Sequence, residues 1–360
     1  MQDNTMSRWL SPLMAFCLSF IIIAGLAPSL GLQIDRQIDF WILWLVSMLL
    51  LSLPIAYLEI ALAKRSKTTA LNALSSLTRD ADVSPRWRGI AWLAIIFIPF
   101  LAGGILSNIT KLSVPFTALA LDSTIVLAIA MLLALALSFI ARPILILLAG
   151  LGVIASLVVA NVFGTDLQPW HLTAVEFSEW GSATILALVA SGLGLGLYWQ
   201  NSLLNVQQQQ AASHTALPIW IAQLLAVIAF GYFGVAAQIP AVSLLLTAIF
   251  AVALLIQMAR EQFQHRQVNV LIQYAILVLG LLVWLLPAIH GILNSVLMLL
   301  GLVICLGYSI FVGWMMKISH LRKAMNFNNE LLYNVWRIAV RVILPLAIIV
   351  AIIAYIGQLL

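Results

Sequence analysis

Charge is what this chain has least of. Only 8% of its 360 residues are Asp, Glu, Lys or Arg, against 64% hydrophobic. A soluble globular domain keeps about a quarter of its residues charged, so that class is excluded and an integral membrane protein remains. Cysteine is nearly missing as well: Cys17 and Cys305 both fall inside apolar runs and read as packing residues rather than as a disulfide or a metal pair. No His/Asp/Glu cluster supports an enzyme, and no zinc or nucleotide signature occurs. The G-x-G-x-G at 192–196 lacks the strand–turn–helix setting of a dinucleotide fingerprint. The net charge of +5 comes from bases scattered through short loops, so nucleic acid is not an expected partner. No catalytic residue, no metal and no resident cofactor are expected.

What the chain does have is long apolar runs of about 20 residues, the length a helix needs to cross hydrocarbon; outer-membrane strands would be nearer ten residues with strict alternation. Eleven spans follow, at about 9–31, 41–63, 88–110, 122–141, 143–163, 180–204, 216–238, 240–260, 268–287, 291–316 and 333–358. The first has Arg8 ahead of it and ends near AGLA, features shared with signal peptides, but it is read as a true span. With the N-terminus inside, fifteen of the seventeen Lys and Arg residues collect on one side, leaving only Arg36 and Lys111 on the other. The positive-inside rule then places the N-terminus in the cytoplasm and the C-terminus outside. A cell membrane, specifically a bacterial inner membrane, is the expected location. Residues 66–80, SKTTALNALSSLTRD, set Ala70, Leu71, Leu74 and Leu77 at helical spacing, which predicts a short amphipathic helix on the cytoplasmic membrane surface.

The sixth span contains SGLGLGLYW at 191–199, with Gly192, Gly194 and Gly196 at alternate positions. Each glycine inside a helix costs about 1 kcal/mol relative to alanine. Close packing of helices through small residues uses every fourth position; alternate spacing instead predicts a stretch that comes unwound. The first span has its own interruption in AGLAPSLG at 24–31, where Pro28 removes a helix donor between Gly25 and Gly31. Interrupted spans in corresponding positions of two halves point to a transporter site at mid-membrane. The two are five spans apart, so five plus five inverted repeats with one extra helix account for all eleven. The expected single domain, 1–360, divides into spans 1–5 (9–163), spans 6–10 (180–316) and span 11 (333–358).

At this point the chain resembles the neurotransmitter:sodium symporter family with its LeuT-type fold. LPIAYLEIALAKRS at 53–66 is similar to that family's second-span ending and PRWRGIAW at 85–92 to its third-span entry. IFVGWMMKISHLRKAM at 310–325 and WRIAVRVILP at 336–345 are similar to its tenth and eleventh spans. Trp9 precedes Gly25 by the family's interval. Departures accompany the likeness. Pro28 stands where the family has an asparagine sodium ligand, and no arginine follows; Ala190 replaces a hydroxyl of that site, and Gln223 replaces a second asparagine. Val252 and Ala253 stand where the second sodium site needs hydroxyls, and Leu106 where a tyrosine holds a substrate carboxylate. Family-type sodium coupling is therefore not expected, which leaves a proton as the alternative.

The resemblance implies a substrate-binding set of Gly25, Leu26, Ala27 and Pro28 from the first span, Ala102 and Leu106 from the third, and Ser191, Gly192, Gly194, Leu195 and Gly196 from the sixth. Glu59 and Gln223 are the ion- or proton-coupling candidates. For Glu59 two readings stand: a proton carrier in the membrane, or an acceptor for N–H groups freed where the sixth span unwinds. Arg8 and Glu261 are the gate candidates at the inner mouth, with ordinary positive-inside anchoring as the alternative for Arg8. His290 reads as a loop residue. The function implied is a secondary transporter of a small amino-acid-like or amine-like solute working by alternating access. The alternative is a transport-inactive relative serving as partner, scaffold or sensor for another membrane protein. The lipid bilayer and the solute are the expected partners.

Overall fold

The computed structural model describes residues 2–31, 37–116, 122–163, 169–199, 211–231, 241–327 and 329–359. Its helices are α1 Gln2–Leu26, α2 Ile38–Ser47, α3 Leu53–Ser66, α4 Ala70–Asp80, α5 Gly89–Ser113, α6 Ser123–Leu137, α7 Arg142–Phe163 and α8 Phe177–Leu188. They continue with α9 Ser213–Ala229, α10 Ala241–His265, α11 Val270–Leu282, α12 His290–Ile310, α13 Ile318–Met325, α14 Glu330–Ile338 and α15 Leu344–Leu359. Among the described residues there is no strand, only a single bridge between Gln37 and His171. Seven stretches are long and apolar enough to cross a membrane, and Ser123–Leu137, Ser213–Ala229 and Val270–Leu285 are shorter apolar helices. With α8 and the stretch 189–199, each of the eleven segments read from the sequence has a helical part among the described residues; 200–204 and 232–238 lie outside them. The protein is an all-α, multi-pass membrane protein.

Burial sorts these helices into two shells. α1 and α10 are inside: Met14, Leu18, Ile21 and Leu26 on one, Val252, Leu255 and Phe263 on the other, are fully buried. α10 packs on α5, α6 and α7, while α1 packs on α9, α5 and α7. α6, α7, α11 and α15 turn apolar side chains outward, with Leu132 67% exposed and Leu279 65% exposed. In water such a surface would aggregate; in a bilayer it is the lipid-facing coat.

Two spans widen into a π turn just ahead of a proline. The π turn Met48–Ser52 joins α2 to α3 just before Pro54, and the π turn Ala339–Ile343 joins α14 to α15 just before Pro345. A proline has no N–H to donate and its ring collides with the carbonyl four residues back, so the preceding turn widens to keep the span continuous. Trp336 then donates from Nε1 to the Pro54 carbonyl at 3.0 Å, tying the two proline turns together. In α5, Gly103 and Gly104 make room for the Trp284 ring: a methyl on Gly103 would lie 2.5 Å from its Cδ1. The same ring donates from Nε1 to the Phe100 carbonyl at 2.9 Å.

α4 departs from expectation. The helix exists over Ala70–Asp80, but Leu71, Leu74 and Leu77 are covered by protein rather than left for the bilayer. Polar bonds fix it against the bundle: Asn72 Nδ2 donates to the His265 carbonyl at 3.0 Å, Arg65 pairs with Asp80 at 3.0 Å, and Arg88 Nε donates to the Thr78 hydroxyl at 3.0 Å. The apolar stripe that suits a membrane surface suits a protein surface equally well, and here the bundle takes it. α4 is therefore a plug across the end of the bundle that carries Lys64, Arg65 and Lys67.

Candidate functional site

The stretch from Val189 to Gly196 is unwound. Gly192, Gly194 and Gly196 have φ of +68°, +81° and +70°, a left-handed conformation that costs an L-residue about 1–2 kcal/mol and glycine almost nothing. Alternate glycines are thus the sequence's way of letting the backbone leave the helix three times in eight residues.

Inside a membrane each freed backbone group needs a partner, and side chains from three other segments, with Tyr198 and Ser191 of the same span, bond to several of them. The carboxylate of Glu59, on α3 and 2% exposed, accepts at Oε1 from the N–H of Gly194 at 2.5 Å and of Gly196 at 3.4 Å. The Ser191 carbonyl accepts from the Tyr198 hydroxyl at 2.7 Å and from Gln223 Nε2 on α9 at 3.1 Å. Cys305 on α12 reaches the Leu193 carbonyl with Sγ at 3.5 Å. The Ser191 hydroxyl turns back on the Ala187 carbonyl at 2.7 Å. Two acceptors are left over: Glu59 Oε2 and Gln223 Oε1 are buried and have no hydrogen-bond partner among the described residues.

The first span keeps α-helical winding through Leu26 and then tightens into a 3-10 turn, Ala27–Leu30, with Pro28 at its second position and Gly31 at φ +82° closing it. The turn's missing bonds are again made by side chains. Ser29 Oγ donates to the Leu26 carbonyl at 2.7 Å, and Asn108 Nδ2 on α5 donates to the Gly25 carbonyl at 3.0 Å. Asn108 also shares a reciprocal amide pair with Asn294 on α12, at 2.9 and 3.3 Å. The sequence reading missed Asn294, although an amide in the apolar run HGILNSVLMLL is itself a signal for a hydrogen bond between helices.

Part of the expected substrate set lies close together. A methyl on Gly192 would lie 3.5 Å from Ile22 Cδ1, one turn before Gly25, and one on Gly25 would lie 3.2 Å from Ile105 Cα, between Ala102 and Leu106. Leu26, Ala27, Ala102, Leu106, Ser191 and Leu195 are all buried, and Pro28 is half-buried. On the α4 side Gly196 abuts Ala70, whose Cβ would be 2.5 Å from an added methyl, and a methyl on Gly194 would lie 3.2 Å from Cys305 Sγ on α12. Among the described residues the chain's own side chains occupy several polar groups of the break.

Two residues are not where the sequence put them. Glu261, near the end of α10, is ion-paired with Arg142 at the start of α7, because α10 lies along α7 over its length. Its carboxylate is thus held by Arg142; the side chain of Arg8, its expected gate counterpart, lies outside the described residues. His290 is no loop residue either. It opens α12, is 9% exposed, and its Nε2 meets the Trp284 carbonyl at 2.7 Å and the Ser107 hydroxyl at 3.4 Å. Val252, Ala253 and Ala190, at the positions where the resemblance calls for sodium ligands, are fully buried and apolar.

Neither a family model nor a curated protein sequence matches the chain. A solved structure does. The crystal structure of MhsT in complex with L-phenylalanine is similar over 96% of this chain and 98% of that one, with a TM-score of 0.62 and 14% sequence identity. MhsT has the LeuT-type fold, and this chain shares it. At that identity the likeness is one of fold.

Proposed function

We propose that this protein is a secondary transporter of a small organic solute, amino-acid-like or amine-like, working by alternating access. The observation that carries the reading is the unwound segment Val189–Gly196 lying beside the end of α1 in a LeuT-type fold. A backbone that abandons its ladder inside the membrane is tolerated only where something else takes up its bonds. Here Glu59, Tyr198 and Gln223 take up bonds of the break. On binding, the solute replaces some of these partners, and rocking of spans 1, 2, 6 and 7 opens each side in turn. Apolar residues at the sodium-ligand positions argue against sodium coupling, and Glu59, with one carboxylate oxygen unpaired, is the proton-coupling candidate. The lysine and arginine distribution supports a cytoplasmic N-terminus in a cell membrane, in keeping with a bacterial inner membrane.

A second reading, a transport-inactive partner or sensor subunit, is favoured by one observation: the break is filled and internally bonded. Reconstitution separates the two. Purified protein in liposomes, offered labelled amino acids and amines with a proton or a sodium gradient, takes up at least one in a saturable manner if it is a transporter. No uptake and no ligand-induced rise in unfolding temperature across the panel, together with a stably co-purifying membrane protein, overturns the first reading in favour of the second.

A further inference from the structure

Away from the breaks, a small cavity lies where the end of α5, the start of α6 and the start of α12 meet. Its volume is about 40 Å³, room for roughly two or three waters or one small ion. Its polar lining is Ser107, Thr110, Lys111, Ser123, Thr124 and His290. Thr110 is 1% exposed, yet its hydroxyl bonds to nothing. His290 Nε2 sits 2.7 Å from the Trp284 carbonyl, which can only accept, so Nε2 is the donor and His290 is held to the rim of the cavity through it, offering the cavity no donor of its own.

We propose that this cavity binds a small inorganic anion of halide size. The lining supplies the uncommitted Thr110 hydroxyl as donor and the Lys111 ammonium, while the Ser123 hydroxyl is taken by Asp122. The Lys111 side chain is one of only two cationic ones on the face opposite the basic loops. The start of α6 adds the positive end of a helix. The carboxylate of the adjoining turn, Asp122, is exposed and engaged with the Thr124 N–H at 3.0 Å and the Ser123 hydroxyl at 3.4 Å. A cation would face Lys111, and an organic solute exceeds the volume. The anion satisfies Thr110 and ties α5, α6 and α12 together on one side of the molecule, independently of what the breaks hold.

The test uses the full chain in detergent, unfolded thermally in sodium chloride against sodium gluconate at equal ionic strength, with bromide-soaked crystals as a second readout. The expected result is a saturable rise in unfolding temperature with chloride and a bromide peak beside Thr110. In the near-isosteric Thr110→Val and in Lys111→Gln, the half-saturating chloride concentration rises about tenfold or more, as loss of one hydrogen bond to a charged group implies. Equal unfolding temperatures in the two salts, a chloride effect unchanged in both variants, or density that fits water alone each overturn the proposal.

Discussion

Replacing Gly196 by alanine attacks the break and its plug together. Gly196 has φ +70°, so alanine there costs about 1–2 kcal/mol in backbone conformation. The new methyl would also lie 2.5 Å from the Cβ of Ala70, the first residue of α4. Two carbons cannot share that distance, and overpacking of this kind adds about 1–3 kcal/mol. Gly196→Ala is therefore expected to lose about 2–5 kcal/mol. Ala70→Gly removes the colliding atom but not the conformational strain. The double variant should recover the packing part alone, and the two substitutions should be non-additive. Stability is read by SDS titration followed through tryptophan fluorescence. A second readout is maleimide labelling of Cys305 in a Cys17→Ser background: Cys305 is fully buried against Leu193 and Gly194, so it should react slowly in the parent, fast in Gly196→Ala and at an intermediate rate in the double variant. If Gly196→Ala is as stable and as slowly labelled as the parent, α4 does not seal the break and the reasoning fails.

Two further outcomes follow from the same bonds. Glu59→Ala strips the acceptor from the N–H groups of Gly194 and Gly196, each left unsatisfied at about 1–3 kcal/mol, whereas Glu59→Gln keeps an amide oxygen there. Glu59→Gln should therefore cost less than half as much in the SDS titration, while uptake loses its response to a pH gradient; equal damage from both would show that the carboxylate does not hold the break. Asn108→Ala leaves Asn294 and the Gly25 carbonyl without their donor and is expected to cost about 1–3 kcal/mol. The Asn108→Ala/Asn294→Ala pair should cost less than the sum of the two, and full additivity would count against the reciprocal amide bond.

The spans and the sixth-span break could be read from residues because their causes are local. An apolar run of bilayer length has one helical solution, and three alternate glycines have little use except positive φ. The π turns were not read, although Pro54 and Pro345 are plain in the sequence: proline announces a disturbed helix but not whether the span kinks, ends or widens. α4 was located and given the wrong neighbour, because the spacing of Leu71, Leu74 and Leu77 specifies an apolar surface without specifying what covers it. The ion pair of Glu261 with Arg142 could not be read, because Arg142 lies 119 positions away on a helix whose contact with α10 no sequence pattern encodes. His290 next to Pro287 looks like a turn, and only the fold brings Ser107 and the Trp284 carbonyl to it.

The bonding of the break also narrows the solute. A guest that opens the break by displacing Tyr198 and Gln223 must donate to the Ser191 carbonyl in their place, which suits an ammonium group. A guest carboxylate would need free donors, but the N–H groups of Gly194 and Gly196 already belong to Glu59, and Leu106 offers no hydroxyl in their stead. Open acceptors lie at Glu59 Oε2 and Gln223 Oε1, beside an open donor, the Tyr308 hydroxyl, and an unpaired buried carboxylate repels a second one by several kcal/mol at a separation of about 4 Å and an effective dielectric near 20. A simple amine should therefore bind better than the amino acid carrying the same side chain. The two donors lost from Ser191 are worth about 1–3 kcal/mol together, a cost that an ammonium can return and a carboxylate cannot. Matched pairs of amine and amino acid, compared by the rise in unfolding temperature at equal concentration, test this directly. Tighter binding of the amino acid in every pair would mean that Glu59 releases the glycine amides on binding, and the break would then have to be drawn as a carboxylate site.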